Sequence, residues 1–331
     1  MAFVGGLDIT NGRYDDPTFP LWSTIQTTHY RDFYSKCVPG ATHKTGPREP
    51  WHDCHARVEG PVAYDLVRNF ADRIEKQGRE SLPFMYDITE AEFALDAHAV
   101  ERDNEGGLWR AQLFRSINAS SVDFEKDKLS RLFCKEGAYF EKSIAKCMVQ
   151  QIRGAQNFIY MENQYFLGSA YSWAGDRDTV AMHTIPREIA QRIVDKIESG
   201  SKFKAYILVP MFPEGDPSSG PIQEILFWQY RTMESMYMRV AKAIQAAGLT
   251  GQRHPTDYLN FFCLGKREGP DDLVQMGKLQ LEGSPNHSVS LWMSIHIAGF
   301  KEPEAGSAAE EVWKSRRHPI YVHSKMTVRV R

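Results

Sequence analysis

The stretch EKSIAKCMVQQIRGAQNFIYMENQYF (141–166) contains two periodicities that decide the fold class. Ile144, Met148 and Ile152 recur four residues apart, which places them on one face of a helix. The run that follows, NFIYMENQYF (157–166), is apolar at its start and polar at its end, as in a buried strand that continues into a loop. The stretch therefore predicts a helix followed by a buried strand, the repeating unit of an α/β protein.

The same alternation continues in both directions along the chain. Further helices are predicted at about 59–79, 185–200 and 221–248. Further strands are predicted at 2–8, 111–117, 202–212, 258–267 and 318–330. This order predicts an α/β fold with a mostly parallel mixed sheet. Residues 268–312 interrupt the pattern, and their high content of Gly, Pro, Glu and Ser predicts a long irregular loop or insertion.

Polar side chains follow three of the predicted strands, where an α/β sheet binds its ligands. They are Glu162-Asn163-Gln164, Glu214, and the pair His323 and Lys325. On a strand, His323 and Lys325 would share one face, because side chains two residues apart point the same way. An imidazole can act as nucleophile or general acid, and an ammonium can neutralise phosphoryl oxygens, so the pair suits attack on a phosphodiester. Taken alone, H-x-K more often marks an ordinary strand edge.

A second cluster, His52-Asp53-Cys54-His55, places several ligand types side by side. Its residues alone leave three interpretations open: a buried structural cluster, a contact with calcium or substrate, and a zinc site. The chain contains neither the CxxC nor the C₂H₂ spacing of zinc sites. It also has no Walker A loop, no G-x-S-x-G and no G-x-G-x-x-G, which disfavours NTPase, serine-hydrolase and dinucleotide-binding functions.

Composition limits the partners and the compartment. Forty basic and 42 acidic residues give a formal net charge of −2, so no overall field attracts nucleic acid. The five cysteines are scattered and odd in number, which favours a reducing compartment. The first residues lack the pattern of a signal peptide, and apolar runs such as 205–212 are too short to span a bilayer. We therefore expect a cytoplasmic protein without a transmembrane segment, whose contact with membranes is peripheral.

Seven sequence blocks, taken together and in order, resemble the plant phospholipase D family. The blocks are FVGGLDITNGRYD (3–15), GPREPWHDCH (46–55), QLFRSI (112–117), FIYMENQYFLGSAYSW (158–173), PMFPEG (210–215), DYLNFFCLGKRE (257–268) and YVHSKMT (321–327). The resemblance covers about 2–267 and 318–327 and does not extend to 270–312. It divides the chain into a catalytic core at 1–267, the irregular segment at 268–312, and the start of a second motif strand at 313–331.

The resemblance implies a fold and a reaction. Members of the family carry two H-x-K-x-x-x-x-D motifs that meet around one active site in an α-β-α sandwich, which would here be incomplete at both ends. One histidine attacks phosphorus to form a phosphohistidine, and the other protonates the departing alcohol. Water or a primary alcohol then resolves the intermediate, which converts phosphatidylcholine to phosphatidic acid plus choline, or to a phosphatidyl alcohol, at a membrane surface.

The resemblance also assigns roles to residues. His323 and Lys325 match the second motif and are the implied catalytic residues. Gln164, with Asn163 beside it, matches a position near the lipid phosphate or headgroup, although a hydrogen-bonded strand end would explain the amide equally simply.

Three further residues have less certain matches. Asp8 and Asp15 follow the Gly-Gly turn and either orient the histidine of the first motif, which would lie upstream of Gly5, or stabilise turns. His52 matches a histidine that ligates calcium in related enzymes, but the second histidine of that site aligns near Phe19 in this sequence. The absence of that second histidine weakens the expectation of a calcium cofactor. Calcium also prefers oxygen ligands to imidazole nitrogen.

The expected motifs are incomplete in the given sequence. The position five residues after Lys325 is Val330, where the family has Asp, and the first motif would lie upstream of Gly5. We therefore expect this chain by itself to be catalytically inactive. The alternative is a homologue that binds phospholipid or a regulatory partner without catalysis. A nuclease-like relative is disfavoured by the charge balance.

Overall fold

The structure is a computed structural model, and it describes residues 1–85, 109–169, 183–269 and 301–330. The chain divides into two compact units. The first comprises Met1–Gly5 and His55–Gly154, and the second comprises Gly6–Cys54 and Ala155–Arg331. The boundaries at 267 and 312 stay a prediction.

Strands and helices alternate along most of the described chain, which confirms the predicted α/β class. The strands are β1 (Ala2–Gly5), β2 (Trp51–His52), β3 (His55–Val58), β4 (Ser116–Asn118), β5 (Phe133–Lys135), β6 (Ala138–Lys142), β7 (Phe158–Glu162), β8 (Lys204–Leu208), β9 (Leu259–Phe262), β10 (Gly265–Arg267), β11 (Arg317–Pro319), β12 (Tyr321–Val322) and β13 (Met326–Val330). The α-helices are α1 (Pro61–Gln77), α2 (Ser143–Gly154), α3 (Ile185–Glu198), α4 (Gly220–Ala246) and α5 (Ala308–Ser315). Short 3₁₀ helices occupy Arg79–Phe84, Lys126–Arg131 and Pro255–Asp257.

The first unit contains two small antiparallel sheets. Strand β1 pairs with β3, and β6 lies between β4 and β5. Strands β5 and β6 are joined by Glu136 and Gly137, which both have positive φ, as a two-residue hairpin turn requires. The helix predicted at 59–79 is confirmed as α1, and the strand predicted at 111–117 is found further along the chain as β4.

The second unit is built on a four-stranded mixed sheet in the order β13-β7-β8-β9. Strands β7, β8 and β9 are parallel, and β13 runs antiparallel to β7. Elsewhere in the described chain only the β2–β12 pair is parallel. The mostly parallel arrangement is therefore a property of this sheet and not of the whole chain, because the remaining strand pairs belong to separate small antiparallel sheets.

Helices α3 and α4 hold the central sheet in place. Ile189, Ile193 and Ile197 of α3 recur four residues apart and are all buried, as one face of a helix packed on a core requires. Two buried polar residues of α4 contact the loop that follows β7. Phe166 donates its backbone N–H to Gln229, and Gly168 donates its own to Thr232, at 3.1 and 2.9 Å. These bonds hold the polar end of β7 in one conformation.

The segment predicted as one strand at 318–330 is three strands in the structure. Strand β12 pairs with β2, whereas β13 pairs with β7 in a different sheet, so the chain must leave one partner for another. His323, Ser324 and Lys325 lie in the connection between them. The prediction that His323 and Lys325 share a strand face is therefore wrong.

The predicted irregular segment at 268–312 lies largely outside the described residues, at 270–300. Helix α5 begins at Ala308, inside this interval, with Ser307 as its N-cap. Its Trp313 packs against Leu21, Trp22 and Ile25 in a small core. Among the described residues, no helix combines the length and hydropathy needed to cross a lipid bilayer.

Candidate active site

The pairing of strands β2 and β12 brings the residues of the candidate active site together. Tyr321 of β12 lies beside Trp51 of β2, and their rings stack at a centroid distance of 4.6 Å. Val322 pairs with His52, and the backbone N–H of His323 donates to the His52 carbonyl at 2.8 Å. Because the strands are parallel, the next residues along each chain, His323 and Asp53, meet where the pair ends.

Asp53 contacts the imidazole of His323 directly. Nδ1 of His323 lies 2.7 Å from Oδ2 of Asp53, and the side chains are 12% and 7% exposed. A carboxylate at this distance favours the tautomer in which Nδ1 carries the proton, so that Nε2 keeps its lone pair. Nε2 has no hydrogen bond to any residue that the structure describes. Position 6 is glycine, and a Cβ there would collide with the Asp53 carboxylate.

Glu162, the last residue of β7, connects the strand ends around His323. Its carboxylate accepts hydrogen bonds from Ser324 Oγ and from Tyr160 Oη. The ring nitrogen Nε2 of His52 lies 2.9 Å from the same carboxylate. Burial acts to raise the pKa of Glu162, but the hydrogen bonds from Ser324, Tyr160 and His52 outweigh it and hold the pKa below its usual range. Glu162 is therefore an anion that fixes the residue next to His323.

Lys325 presents a cation beside this network. Its side chain is exposed, and within the described ranges no carboxylate lies within 4.0 Å of its ammonium. Partial loss of hydration lowers the pKa of Lys325, while the negative charges of Asp53 and Asp8 oppose that shift. An ammonium near His323 without a direct ion pair can contact an anionic substrate.

The predicted substrate-binding amides occupy different positions. Asn163 donates its side-chain N–H to the Tyr165 carbonyl at 2.6 Å, so this amide stabilises the turn after β7. Gln164 donates to Tyr321 Oη at 2.9 Å, which places it next to the aromatic stack that supports His323. Substrate binding by either amide stays a prediction.

Glu214, beyond β8, belongs to the same surroundings. Its backbone N–H donates to Tyr321 Oη at 3.2 Å, and its carboxylate accepts hydrogen bonds from Arg13 and from Tyr34 Oη. The Arg13 guanidinium lies over the Trp51 ring, 3.8 Å from its centroid. All three strand ends predicted to carry chemistry therefore converge, since Glu162, Glu214 and His323 contact one network.

Asp8 and Asp15 differ in what they contact. Asp15 is buried and binds the Arg48 guanidinium at 2.9 Å and the Trp51 backbone N–H at 2.7 Å. Asp8 is half-exposed and lies 3.6 Å from Nε of Arg13. The carboxylate that contacts His323 is Asp53, which the sequence analysis placed in a candidate metal cluster and not in an orienting role. The signal that could have found it is the pair of matching segments Trp51-His52-Asp53 and Tyr321-Val322-His323, each an aromatic residue followed two positions later by a polar one.

The donor atoms around His52 do not match a calcium shell. His52, Cys54 and Glu162 each offer one ligand atom, and these atoms lie within 4.8 Å of one another. Phe19 packs edge-on against the His52 imidazole, with ring centroids 5.9 Å apart. One imidazole, one thiol and one carboxylate are far from the six to eight oxygens that calcium takes. Calcium binding at His52 stays a prediction, and no chemical step below depends on it.

Comparisons with known proteins place this arrangement in a family. A family model described as Phospholipase D matches residues 1–329. The chain belongs to the phospholipase D family. The matched region includes 270–312, to which the resemblance of individual blocks did not extend.

Over the aligned residues, plant members of the phospholipase D family are about 40% identical to this chain. Phospholipase D gamma 3 of Arabidopsis thaliana is 41% identical over 348 residues, which cover 98% of this chain and 38% of that protein. Phospholipase D alpha 1 of Oryza sativa subsp. japonica is 40% identical over 339 residues, which cover 99% of this chain and 38% of that protein. Phospholipase D beta 1 of Arabidopsis thaliana is 40% identical over 341 residues, and the chain covers 30% of it. The resemblance to plant phospholipase D is confirmed, and the chain spans well under half the length of these relatives.

Proposed function

We propose that this chain supplies part of a phospholipase D active site that cleaves the phosphodiester of glycerophospholipids such as phosphatidylcholine. The contact between His323 Nδ1 and Asp53 at 2.7 Å carries the proposal. It prepares an imidazole whose Nε2 can attack phosphorus or hold a proton for the leaving group. Family membership supports the choice of a phospholipid phosphodiester as the substrate.

The proposed reaction has two displacements at phosphorus. In the first, a histidine nitrogen forms a bond to phosphorus as the bond to the choline oxygen breaks, and a second histidine protonates that oxygen. In the second, water or a primary alcohol bonds to phosphorus as the phosphorus–nitrogen bond breaks, and its proton passes to the second histidine. His323 takes one of these two roles. Asp53 orients the imidazole in both, because its carboxylate accepts a hydrogen bond from Nδ1–H.

The cation and amide next to His323 suit the rest of the substrate. The Lys325 ammonium would neutralise the non-bridging phosphoryl oxygens, which gain charge in the transition state. The Gln164 amide would donate to the lipid phosphate or contact the headgroup. The substrate lies in a membrane, so we propose a cytoplasmic protein that associates peripherally with that membrane.

A chimera tests the proposal in the context of a complete relative. Residues 1–329 of this chain replace the matching segment of Phospholipase D gamma 3, and phosphatidyl-butanol formation is measured on phosphatidylcholine vesicles with 1-butanol. We expect product from the chimera and a loss of at least about 100-fold on His323→Ala, because this substitution removes the reacting nitrogen. Asp53→Asn should lower the rate less and shift its pH profile, since the amide no longer stabilises the imidazolium.

The matched control is His43→Ala, which removes an exposed histidine. It should leave the rate of the chimera unchanged. A folded chimera that binds vesicles but forms no product would contradict the proposal and favour a homologue that binds phospholipid without catalysis. Activity that survives His323→Ala would contradict the assigned role of His323.

A further inference from the structure

A cavity with a basic rim lies in the second unit, at the opposite ends of the parallel strands from His323. The candidate active-site residues follow the carboxyl ends of β7 and β8. The cavity, of approximately 610 Å³, is lined by Asn157 and Phe158 at the start of β7, Lys204 at the start of β8, and Tyr258 just before β9. A strand of five residues spans roughly 16 Å, so the cavity is separate from the candidate active site.

The charge of this cavity is strongly positive. Four basic side chains line it, and Asp257 is the one carboxylate among its lining residues. The basic residues are Lys196, Lys202, Lys204 and Arg253. Asp257 accepts the His254 backbone N–H at 3.0 Å and so completes a capping box. Over the described ranges, none of the four basic side chains has a carboxylate within 4.0 Å. In a chain with a net charge of −2, this concentration of unpaired positive charge is local.

Lys196 distinguishes this cavity from a surface cluster of lysines. Its side chain is 9% exposed, and its ammonium donates to the amide oxygen of Gln156 at 2.9 Å. The last turn of α3, where Lys196 lies, favours a cation because helix carbonyls point towards it. An ammonium has three N–H donors, and only one of them is used in the bond to Gln156. The position of Lys196 at the helix end provides no hydrogen-bond partner for the other two, and buried charges are normally paired. These donors suit an acceptor bound in the cavity, which Lys196 lines.

Aromatic side chains form the other part of the wall. Phe158 and Tyr206 meet edge to face with ring centroids 6.5 Å apart, and both line the cavity. The volume falls within the roughly 300–1,000 Å³ typical of small-molecule sites. Several cations around one apolar wall match a ligand that carries a multiply charged phosphate next to an organic moiety.

We propose that this cavity binds a phosphate-bearing ligand through Lys196, Lys202, Lys204 and Arg253. The site extends beyond the proposed function and does not depend on it, because none of these residues contacts the network around His323. The ligand is defined by its phosphate, which a soluble compound or a lipid headgroup could supply.

Titration calorimetry with inorganic pyrophosphate tests the site in the purified 331-residue chain. The exposed pair is removed in Lys202→Ala/Arg253→Ala, and the buried cation in Lys196→Met. The matched control, Lys301→Ala/Arg317→Ala, removes the same charge from exposed positions outside the cavity. We expect Kd to rise at least about tenfold in each cavity variant, because each loses charged hydrogen bonds, and less than about twofold in the control.

A variant of the candidate active site separates the two sites. Pyrophosphate affinity should be unchanged in His323→Ala/Lys325→Ala. If affinity falls in that variant but not in Lys202→Ala/Arg253→Ala, pyrophosphate binds at the active site and the proposal is wrong. Absence of binding to the unmodified chain at millimolar pyrophosphate, or an equal loss in the control, would also overturn it. Thermal unfolding confirms that each variant remains folded.

Vesicle sedimentation identifies the source of the phosphate. Phosphatidylcholine vesicles with and without phosphatidic acid are compared for the unmodified chain and for Lys202→Ala/Arg253→Ala. Sedimentation that requires phosphatidic acid and is lost in the variant supports the proposal and assigns the cavity to a lipid headgroup. Sedimentation that is equal for both proteins, combined with the tenfold loss of pyrophosphate affinity, supports the proposal and assigns it to a soluble phosphate compound.

Discussion

His318 lies five residues before His323 and has an entirely different environment. It is 2% exposed, with Nδ1 2.7 Å from the Pro319 carbonyl and Nε2 3.3 Å from Cys37 Sγ. Burial, reinforced by the positive charge of Arg48, lowers the pKa of His318 to about 4, although the bond to the Pro319 carbonyl opposes the shift. His318 is therefore a neutral structural residue, whereas Nε2 of His323 has no hydrogen-bond partner among the described residues.

This environment predicts a pH dependence of stability. Between the ordinary value of 6.5 and about 4, the unfolded chain binds a proton at position 318 that the folded chain does not. The contribution of neutral His318 to the free energy of unfolding is therefore fully present above pH 6.5. It is lost as pH falls towards 4, and the free energy of unfolding decreases by about 3 kcal/mol over this range.

Urea denaturation at several pH values measures this effect. We expect the free energy of unfolding to depend less on pH in His318→Asn, whose amide can still donate to the Pro319 carbonyl. His43→Asn, at an exposed position, should retain the dependence of the unmodified chain. Equal slopes in the unmodified chain and His318→Asn would show that protonation of His318 does not couple to unfolding.

At the scale of elements, helix α3 shows how a four-residue spacing of isoleucines produces a buried face that stabilises the fold. Ile193 lies at the centre of its apolar face and is fully buried, with Ile189 and Ile197 one turn away on either side. Helix α2 carries the same spacing, but Ile144 is 41% exposed and Ile152 is buried. The sequence pattern predicts both helices equally well. The extent to which each isoleucine is buried decides how much it contributes to the free energy of unfolding.

Truncation of the two isoleucines should therefore have unequal effects. We expect Ile193→Ala to lower the free energy of unfolding by about 3 kcal/mol, because it leaves a cavity between α3 and its neighbours. Ile144→Ala should cost less than about 1 kcal/mol, since the side chain is already in contact with water. Urea denaturation followed by circular dichroism compares them, and equal losses would contradict a larger stabilising role for Ile193.

At the scale of the whole molecule, Glu268 links segments that are far apart in the sequence. It is 2% exposed, and its carboxylate accepts the backbone N–H groups of Trp22 at 2.7 Å and Ser23 at 3.2 Å, with Leu21 at 3.4 Å. The same segment contributes Trp22 to the core formed with Trp313 of α5. One buried carboxylate therefore fixes the loop that also packs against α5.

Removal of this acceptor should be costly. Glu268→Ala leaves buried N–H groups without a partner, and we expect the free energy of unfolding to fall by about 3 kcal/mol. Glu268→Gln keeps one acceptor oxygen and should lose less, and Glu302→Ala, at an exposed site, should change little. Chemical denaturation measures all three, and a loss in Glu268→Ala no larger than in Glu302→Ala would exclude this role.

The sequence by itself determined the α/β class, the helices α1, α2, α3 and α4, and the family. These features depend on local periodicity and on motifs whose residues are close together in the chain, so a single sequence contains them. His323, Gln164 and Glu162 were also identifiable, because each follows an apolar run at a predicted strand end.

Only the tertiary structure decided which of these residues meet. Asp53 reaches His323 because β2 and β12 are parallel neighbours in a defined register, although 270 residues separate the two side chains. Ser324 reaches Glu162 because the chain changes partner between β12 and β13, which the period of a single strand does not predict. The cavity around Lys196 likewise combines a helix end, two strand starts and a loop. Such contacts depend on strand pairing across long separations, which local sequence patterns do not encode.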